Sequence, residues 1–516
     1  MNRIRSFPKI LWLVSVTLIA TIVQAKSVDE RKWILLESAN FAIHSSISKK
    51  KTIDLMNYLE ALRSIFVQPG STTEKVAEKS TVIFVLGKES DYEALGFSDD
   101  TVGMFLSELR QNFIVIRNSS SMQESQVILH EYVHFIMQAT SRFPYPRWWR
   151  EGYAEYVSSS HLTKKGFSFG LPLEVRARTL GRFRWLPWEE VIDPVRYAEY
   201  SRDQVSLFYA QSWLLVHFLH NRRDKTLNTN QSWQIYLDEM QSGNDPILAF
   251  EKGFDLTLSE LEPAVSAYFR RGRYQYWQVP VQDTLAKLNL SVSSISQSDI
   301  QISLGHVALR HNDAEQAREW FSKSLSISPG NALALAGLAS SYAMDDHHDE
   351  AEEYFLKALD AGADVPQVLV DYAKFALERA SSDDTWFTSG DHIDKAEKLL
   401  LKAKGLAGFT AEIDTYLALT YLNQDKDPIE ASQLLAGVVR RSPSDQWPML
   451  LLAQIFQMQG LNENAIAMAE LVLRTEHKKN SRTVAARKII AEIEDNQDES
   501  SRRLPKIAAP TLPKMD

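Results

Sequence analysis

The alternation of apolar and polar residues in the first part of the chain predicts a mixed α/β structure. Residues 33–45 alternate as a strand, and residues 81–86 form a compact apolar run that is typical of a buried strand. Between them, residues 50–67 place apolar side chains at helical spacing. Residues 104–109 and 113–116 are expected to form a hairpin or two short strands. The second could be an edge strand that binds an extended peptide, or a plain core strand.

Residues 298–478 carry an internal repeat with a period of 34 residues. Ala317 and Ala351 are one period apart, and so are Phe321 and Phe355. Small residues at fixed spacing let two helices pack closely, and each helix pair hides its apolar face only by stacking on the next pair. The period resembles that of the tetratricopeptide repeat, whose arrays commonly hold an extended peptide or a partner helix. We therefore expect an all-α solenoid that binds a protein partner.

The first 25 residues have the organisation of a signal peptide. Basic residues precede an almost unbroken apolar run at 10–23, and small residues occupy the cleavage positions before Lys26. The run is shorter than the roughly 20 residues of a membrane-spanning helix, and an uncleaved anchor is the alternative. No other stretch of the sequence is long and apolar enough, so we predict no stable span in the mature chain.

The cysteine count indicates the cellular compartment, and the net charge indicates which classes of partner are favoured. The chain has no cysteine, which excludes disulfides and thiolate ligands and fits a bacterial envelope, with the periplasm favoured over release from the cell. The formal net charge is -9, from 57 basic and 66 acidic residues. Nucleic acid and anionic membranes both favour a basic face. We expect neither as the main partner, although a local basic patch is compatible with this balance.

One segment carries a pattern typical of metal sites. His130 and His134 are four residues apart with Glu131 between them, and the flanking signals predict one helix from about 122 to 139. Side chains one turn apart on a helix point the same way, so both imidazoles can reach one zinc ion. Glu131 then projects beside them, where it can hold a zinc-bound water.

A catalytic zinc site needs a third protein ligand, and a second predicted helix supplies two candidates. Glu151 lies 17 positions after His134, which leaves room for one reversal and a returning helix. Glu155 falls one turn further along on the same face. Glu151 is the preferred ligand, and Glu155 could accept the outer N–H of a ligating histidine. The reverse assignment stays open at this point.

The H-E-x-x-H motif followed by E-G-x-A-E-Y resembles the gluzincin metallopeptidases, specifically the bacterial peptidase MA-like group, over about residues 30–275. The resemblance implies an α+β fold class, with a thermolysin/gluzincin-like peptidase domain followed by the solenoid. It also implies Glu151 as the third zinc ligand and a tyrosine or histidine that stabilises the oxyanion. Tyr209 is the candidate for that role, with Tyr197, Tyr200 and His217 as alternatives.

The activity that follows from the resemblance is zinc-dependent hydrolysis of a peptide or protein substrate. Zinc would activate a water molecule, and Glu131 would act as the general base. The G-x-M-E-N segment of gluzincin aminopeptidases is absent, which favours an endopeptidase. The alternative is a catalytically inert peptidase-like scaffold that binds proteins through its repeats. A purely structural zinc site is a third hypothesis, and the absence of cysteine argues against it.

These patterns divide the chain into six predicted segments. They are a signal peptide (1–25), an N-terminal α/β part (26–118), a helical zinc-binding part (119–278), a linker (279–297), helical repeats (298–495) and a disordered tail (496–516).

Overall fold

A computed structural model describes most of the chain. The described residues are 27–67, 81–97, 103–107, 112–117, 122–140, 145–194, 199–222, 229–380, 391–408, 410–423, 428–441, 445–475 and 481–501. The predicted signal peptide and residues 502–516 lie outside them.

Two sheets occur in the described residues, one with six strands and one with three. The strands are β1 (Ile34–Glu37), β2 (Phe41–Ser45), β3 (Thr81–Leu86), β4 (Gly103–Ser107), β5 (Asn112–Arg117), β6 (His161–Thr163), β7 (Gly166–Phe169), β8 (Trp277–Val279) and β9 (Ser291–Ser294). The larger sheet has the order β4-β5-β3-β2-β1-β9, and the smaller has the order β6-β7-β8. In the larger sheet β2, β3 and β5 are parallel, and the other pairs are antiparallel.

Helices surround the two sheets in the first half of the chain. They are α1 (Lys49–Phe66), α2 (Glu89–Glu93), α3 (Met122–Thr140), α4 (Arg147–Ser158), α5 (Glu174–Arg182), α6 (Trp188–Ile192), α7 (Arg202–Asn221), α8 (Thr229–Gln241), α9 (Pro246–Phe254), α10 (Leu258–Arg271) and α11 (Gln282–Ala286). A short 3-10 helix, Val28–Glu30, precedes β1. The predicted linker, 279–297, contains α11 and β9.

The second half consists of paired helices. They are α12 (Gln297–Arg310), α13 (Ala314–Ile327), α14 (Ala332–Met344), α15 (His348–Ala361), α16 (Pro366–Ala380), α17 (Asp391–Ala407), α18 (Ala411–Asn423), α19 (Pro428–Arg441), α20 (Gln446–Met458), α21 (Asn462–Thr475) and α22 (Ser481–Ser501). The last helix continues into the segment predicted to be a disordered tail.

The helix pairs form a tetratricopeptide-like array. Each first helix packs on the second helix of its pair, and it also contacts the first helix of the next pair. Phe321 shows why a small residue recurs at the period, because its ring lies where a Cβ on Gly305 would be 2.7 Å away, and Ala339 stands one period after Gly305. The 34-residue spacing in the sequence therefore marks the sites where a large ring of one helix fills the gap left by a neighbour.

The six-stranded sheet is covered on both faces. Along β3, Ile83 and Val85 join the core formed with α1, α3 and the helices that follow. Phe84 and Leu86 point the other way and share a core with Trp320 and Phe321 of the first helix pair. Alternate residues of a strand face opposite sides, so the uninterrupted apolar run of β3 is explained by burial on both sides.

This shared core corrects the expected fold class. The thermolysin/gluzincin-like domain followed by a separate solenoid is wrong, because no distinct peptidase domain stands apart in the described residues. The first helix pair forms one wall of the sheet. In addition, β9 closes the sheet beside β1 after the whole helical region has intervened. Helices dominate the described chain, and the first helix pair shares a hydrophobic core with the sheet.

Most individual elements agree with the sequence pattern. Helix α1, strand β3 and the β4–β5 hairpin are confirmed, as is the helix that carries the histidines. The predicted strand at 33–45 is instead two strands, β1 and β2. Of the two interpretations of residues 113–116 the core strand is confirmed, because β5 pairs with β3 on one side and β4 on the other.

Within the residues that the structure describes, no helix combines the length and the apolar character that crossing a bilayer requires.

The sheet–repeat contact is expected to weaken in acid because of His44. Its ring stacks on Phe84 with the centroids 4.6 Å apart, and burial lowers its pKa from 6.5 to about 4, although the charge of Asp299 acts in the opposite direction. The unfolded chain takes up this proton near pH 6.5, whereas the folded chain takes it up only near pH 4. The free energy of unfolding should therefore fall as the pH drops through that window.

Urea denaturation at pH 7.5 and pH 4.5 measures this effect. His44→Gln should lose less stability between the two pH values than the parent protein does. His347→Gln, at an exposed position, is the matched control and should follow the parent. Equal losses in the parent and His44→Gln would contradict the role given to His44.

Candidate functional site

Helix α3 presents two histidines to its neighbour because its other faces are buried. Leu129, Tyr132 and Val133 are almost inaccessible and fix the helix against the main core. His130 and His134 are one turn apart, and their side chains are 12% and 17% exposed. Side chains four residues apart share a face, so the pattern of buried residues directs both imidazoles towards α4.

Helix α4 brings a buried carboxylate to the same place. Glu151 is 1% exposed, and the next residue, Gly152, allows α4 to pass very close to α7. A Cβ at Gly152 would lie 2.3 Å from the backbone oxygen of Ser212. The glycine therefore sets the distance between the two helices, and through it the position of Glu151.

The three side chains converge within hydrogen-bonding range. The Nε2 atoms of His130 and His134 are 3.0 Å apart. Glu151 Oε2 lies 3.4 Å from His130 Nε2 and 3.2 Å from His134 Nε2. One ligand atom from each residue falls within 4.8 Å of the others. Two imidazoles and a carboxylate are a donor set that suits zinc, so the residues fit the expected ion.

The electrostatics of the site favour a cation. Burial on its own would lower the pKa of His130, but the hydrogen bond to Glu151 and the charges of Glu155 and Glu131 raise it to about 9. Without a metal ion, His130 therefore holds a proton at neutral pH. A positive charge at this position is stabilised by three carboxylates.

Glu155 and Tyr209 lie around the histidines. Glu155 Oε1 is 3.5 Å from His130 Nδ1, and its other oxygen accepts a hydrogen bond of 2.9 Å from Arg176 Nε. The Arg176 guanidinium also lies 5.4 Å from the centre of the Tyr209 ring. That ring is 6.1 Å from the imidazole of His130, centroid to centroid. No motif in the sequence indicates Arg176, because it belongs to a different helix, α5.

The remaining predicted residues are placed differently. Glu131 is half-buried beside His130. Tyr200 donates a hydrogen bond to the carbonyl of Glu190. His217 is fully buried between the Tyr268 hydroxyl, 2.7 Å from Nδ1, and the Gly170 carbonyl, 2.9 Å from Nε2. The Tyr200 hydroxyl is thus bound to Glu190, and the His217 ring to Tyr268 and Gly170. Tyr197 lies outside the described residues.

A second candidate site runs along the first helices of three successive repeats. Lys374 on α16 lies 3.6 Å from a carboxylate oxygen of Glu412 on α18, and its ammonium is 5.5 Å from the centre of the Tyr416 ring. Tyr416 in turn contacts Trp447 of α20, with ring centroids 5.0 Å apart. Both rings are half-buried. We call these residues, together with Asp371 and Glu378 of α16, the first-helix surface.

The first-helix surface has an excess of negative charge. Burial is the main cause that raises the pKa of Tyr416 to about 12. Lys374 opposes this rise, and the three carboxylates of Glu412, Glu378 and Asp371 add to it. Three carboxylates and one ammonium group therefore act on the same tyrosine. An aromatic pair beside this excess provides apolar contact area together with a preference for basic groups.

No family model matches this chain, and no curated protein matches it. Among solved structures it is similar to PilF of Pseudomonas aeruginosa (21% identity, TM-score 0.32), covering 40% of this chain and 93% of that one. It is also similar to a TPR protein of Thermus thermophilus (16%, 0.33, covering 38% and 99%) and to the type IV pilus biogenesis factor PilW (17%, 0.32, covering 41% and 96%).

These comparisons correct the expected family and activity. The structures named above are tetratricopeptide-repeat proteins, and no peptidase is among them. The predicted membership in the gluzincin, peptidase MA-like metallopeptidases is therefore wrong, and so are the hydrolase and endopeptidase activities that followed from it. The short H-E-x-x-H pattern can arise on any helix that carries histidines one turn apart, and it does not define a catalytic domain on its own.

Proposed function

We propose that this chain is a protein-binding module whose repeats hold an extended, basic peptide segment of a partner. The observation that supports the proposal is the continuous contact from Lys374 through Tyr416 to Trp447 across three successive repeats. Such a surface is long enough to contact several residues of an extended chain. Tyrosine and tryptophan are also the side chains that most often dominate binding energy.

The charges of the first-helix surface select the partner class. Asp371, Glu378 and Glu412 outnumber Lys374, so Lys or Arg side chains of the partner gain favourable electrostatic energy there. An acidic segment would meet like charge and be disfavoured. The predicted signal peptide places this binding in the bacterial envelope, and that location is part of the proposal.

Selection from a library of random 12-residue peptides, followed by affinity measurement, tests this function. We expect enrichment of peptides that combine Lys or Arg with an apolar residue. Trp447→Ala and Tyr416→Ala should each weaken the binding of a selected peptide by roughly 30-fold, as for a side chain at the centre of an interface. Leu401→Ala is the matched control, because Leu401 is 47% exposed on a second helix. A library without enrichment, or equal effects of Leu401→Ala and Trp447→Ala, would contradict the proposal.

We also propose that His130, His134 and Glu151 hold one zinc ion. The proposal is supported by the convergence of two imidazoles and a buried carboxylate from two different helices. When bound, zinc would supply a positive centre that links α3 to α4. Glu155 lies within reach of the outer nitrogen of His130 and would orient that ring. The catalytic roles expected for Glu131 and Tyr209 depended on peptidase activity and are not carried further.

A further inference from the structure

The surface outside these two sites contains a short segment rich in arginine and exposed aromatic rings. Helix α10 ends with Arg270 and Arg271, Gly272 caps it with a φ of 59°, and Arg273 follows. The three arginines are exposed. Tyr276 and Trp277 come next, and they are 59% and 52% exposed. We call residues 270–277 the arginine–aromatic segment.

The charge of this segment is opposite to that of the whole protein. The net charge of the chain is -9, yet residues 263–282 contain three arginines and no acidic residue. In the described part of the chain, none of these guanidinium groups forms an ion pair. Lys164 and Lys165, at the turn between β6 and β7, extend the basic region, because Gln282 donates a hydrogen bond to the Lys164 carbonyl. The local charge is therefore available to an external anionic group.

The backbone of the arginine–aromatic segment is anchored by side-chain packing and by strand pairing. Tyr274 turns inward and contacts Trp213 and His217, with ring centroids 5.5 Å and 5.1 Å away. Strand β8 pairs with β7, and Trp277 lies opposite Phe169. The Trp277 and Tyr276 side chains are thus presented at a strand that is fixed on one side. Because the backbone is already ordered there, it loses little conformational entropy when the rings bind.

We propose that the arginine–aromatic segment attaches the protein peripherally to anionic phospholipid headgroups. Arginines near an anionic bilayer are attracted to its surface potential. Tyrosine and tryptophan rings favour the boundary between headgroups and acyl chains, because they are apolar with a polar edge. A soluble polyanion would use the arginines equally well, but it offers no apolar phase for two rings that are more than half exposed.

Co-sedimentation with vesicles tests the attachment, using the chain from Lys26 onward so that the apolar run at 10–23 does not contribute. We expect binding to vesicles of phosphatidylcholine with 30% phosphatidylglycerol and much weaker binding to phosphatidylcholine alone. Each arginine should contribute a factor of about five in affinity. The variant R270S/R271S/R273S should therefore bind roughly 100-fold more weakly. R482S/R487S/K488S removes the same charge from exposed positions on α22 and should bind like the parent.

A second readout follows the segment itself. Because the chain has no cysteine, Gln275→Cys can be labelled with an environment-sensitive dye, with Arg482→Cys on α22 as the control. Anionic vesicles should shift the emission of the first label to the blue and leave the second unchanged. Three outcomes would overturn the proposal. They are an absence of binding to anionic vesicles, equal losses of vesicle affinity in the two triple variants, and binding to a DNA oligonucleotide that is tighter than binding to vesicles and does not depend on Trp277.

Discussion

Purified protein should contain about one zinc ion per chain, and His130→Ala should reduce this to near zero. The three proposed ligands lie on α3 and α4, and their ligand atoms are within 4.8 Å of one another without any change of backbone. Loss of one imidazole leaves two ligands, which is too few for a stable site. Elemental mass spectrometry on protein dialysed against metal-free buffer and then offered zinc gives the stoichiometry.

A graded series makes the zinc prediction specific. Glu155→Ala removes the carboxylate 3.5 Å from the outer nitrogen of His130, and we expect zinc affinity to fall by about 10–100-fold with the stoichiometry preserved. His347→Ala removes an exposed histidine and should have no effect. Zinc should raise the melting temperature of the parent and of His347→Ala, but not that of His130→Ala. Full zinc content in His130→Ala would exclude this ligand set.

Gly152→Ala should destabilise the protein by about 3 kcal/mol or more. A methyl group at this position would lie 2.3 Å from the Ser212 oxygen and 2.8 Å from Val216 Cγ2, so α4 and α7 must move apart. Alanine is a better helix former than glycine by about 1 kcal/mol. A loss of stability in Gly152→Ala would therefore have to come from the steric clash and not from helix propensity. Urea denaturation measures the free energy of unfolding.

Gly437→Ala is the matched control for this substitution. Gly437 also lies within a helix, α19, but a Cβ there meets nothing within 4 Å. The propensity gain should therefore appear, and this variant should be neutral or slightly more stable than the parent. Equal stability of Gly152→Ala and the parent would mean that α4 and α7 are not packed as closely as described. Because Glu151 is the adjacent residue, Gly152→Ala should also weaken zinc binding.

Local elements and the repeats could be predicted from the sequence because each depends on nearby residues. The apolar spacing of α1 and the 34-residue period each report which residues are buried, and burial sets both patterns. The packing of the first helix pair against the six-stranded sheet could not be predicted in this way. The run at β3 indicates a buried strand, but nothing in it shows that Phe84 faces the first repeat whereas Ile83 faces α1. The strand β9 was missed for the same reason, because its four residues are exposed and polar except for Val292.

In the candidate site, too, some residues could be predicted from local spacing and others could not. His130 and His134 are brought together by one helix, so their spacing alone predicts that they face the same way. Glu151 comes from a second helix, α4, whose distance from α7 is set by Gly152. Arg176 comes from a third helix and leaves no local pattern. The H-E-x-x-H motif specifies one face of a helix and not a catalytic domain. It therefore could not support the inferred family and activity.

Cysteine footprinting of the repeats tests the central claim most directly. Gln454 lies two turns after Trp447 on α20, and Leu401 lies on a second helix. Because the chain has no cysteine, a cysteine introduced at either position is the only one in that variant. A selected basic peptide should slow alkylation of Gln454→Cys by at least tenfold and leave Leu401→Cys unchanged. Protection of Leu401→Cys with Gln454→Cys still fully reactive would show that the first-helix surface is not where the partner binds.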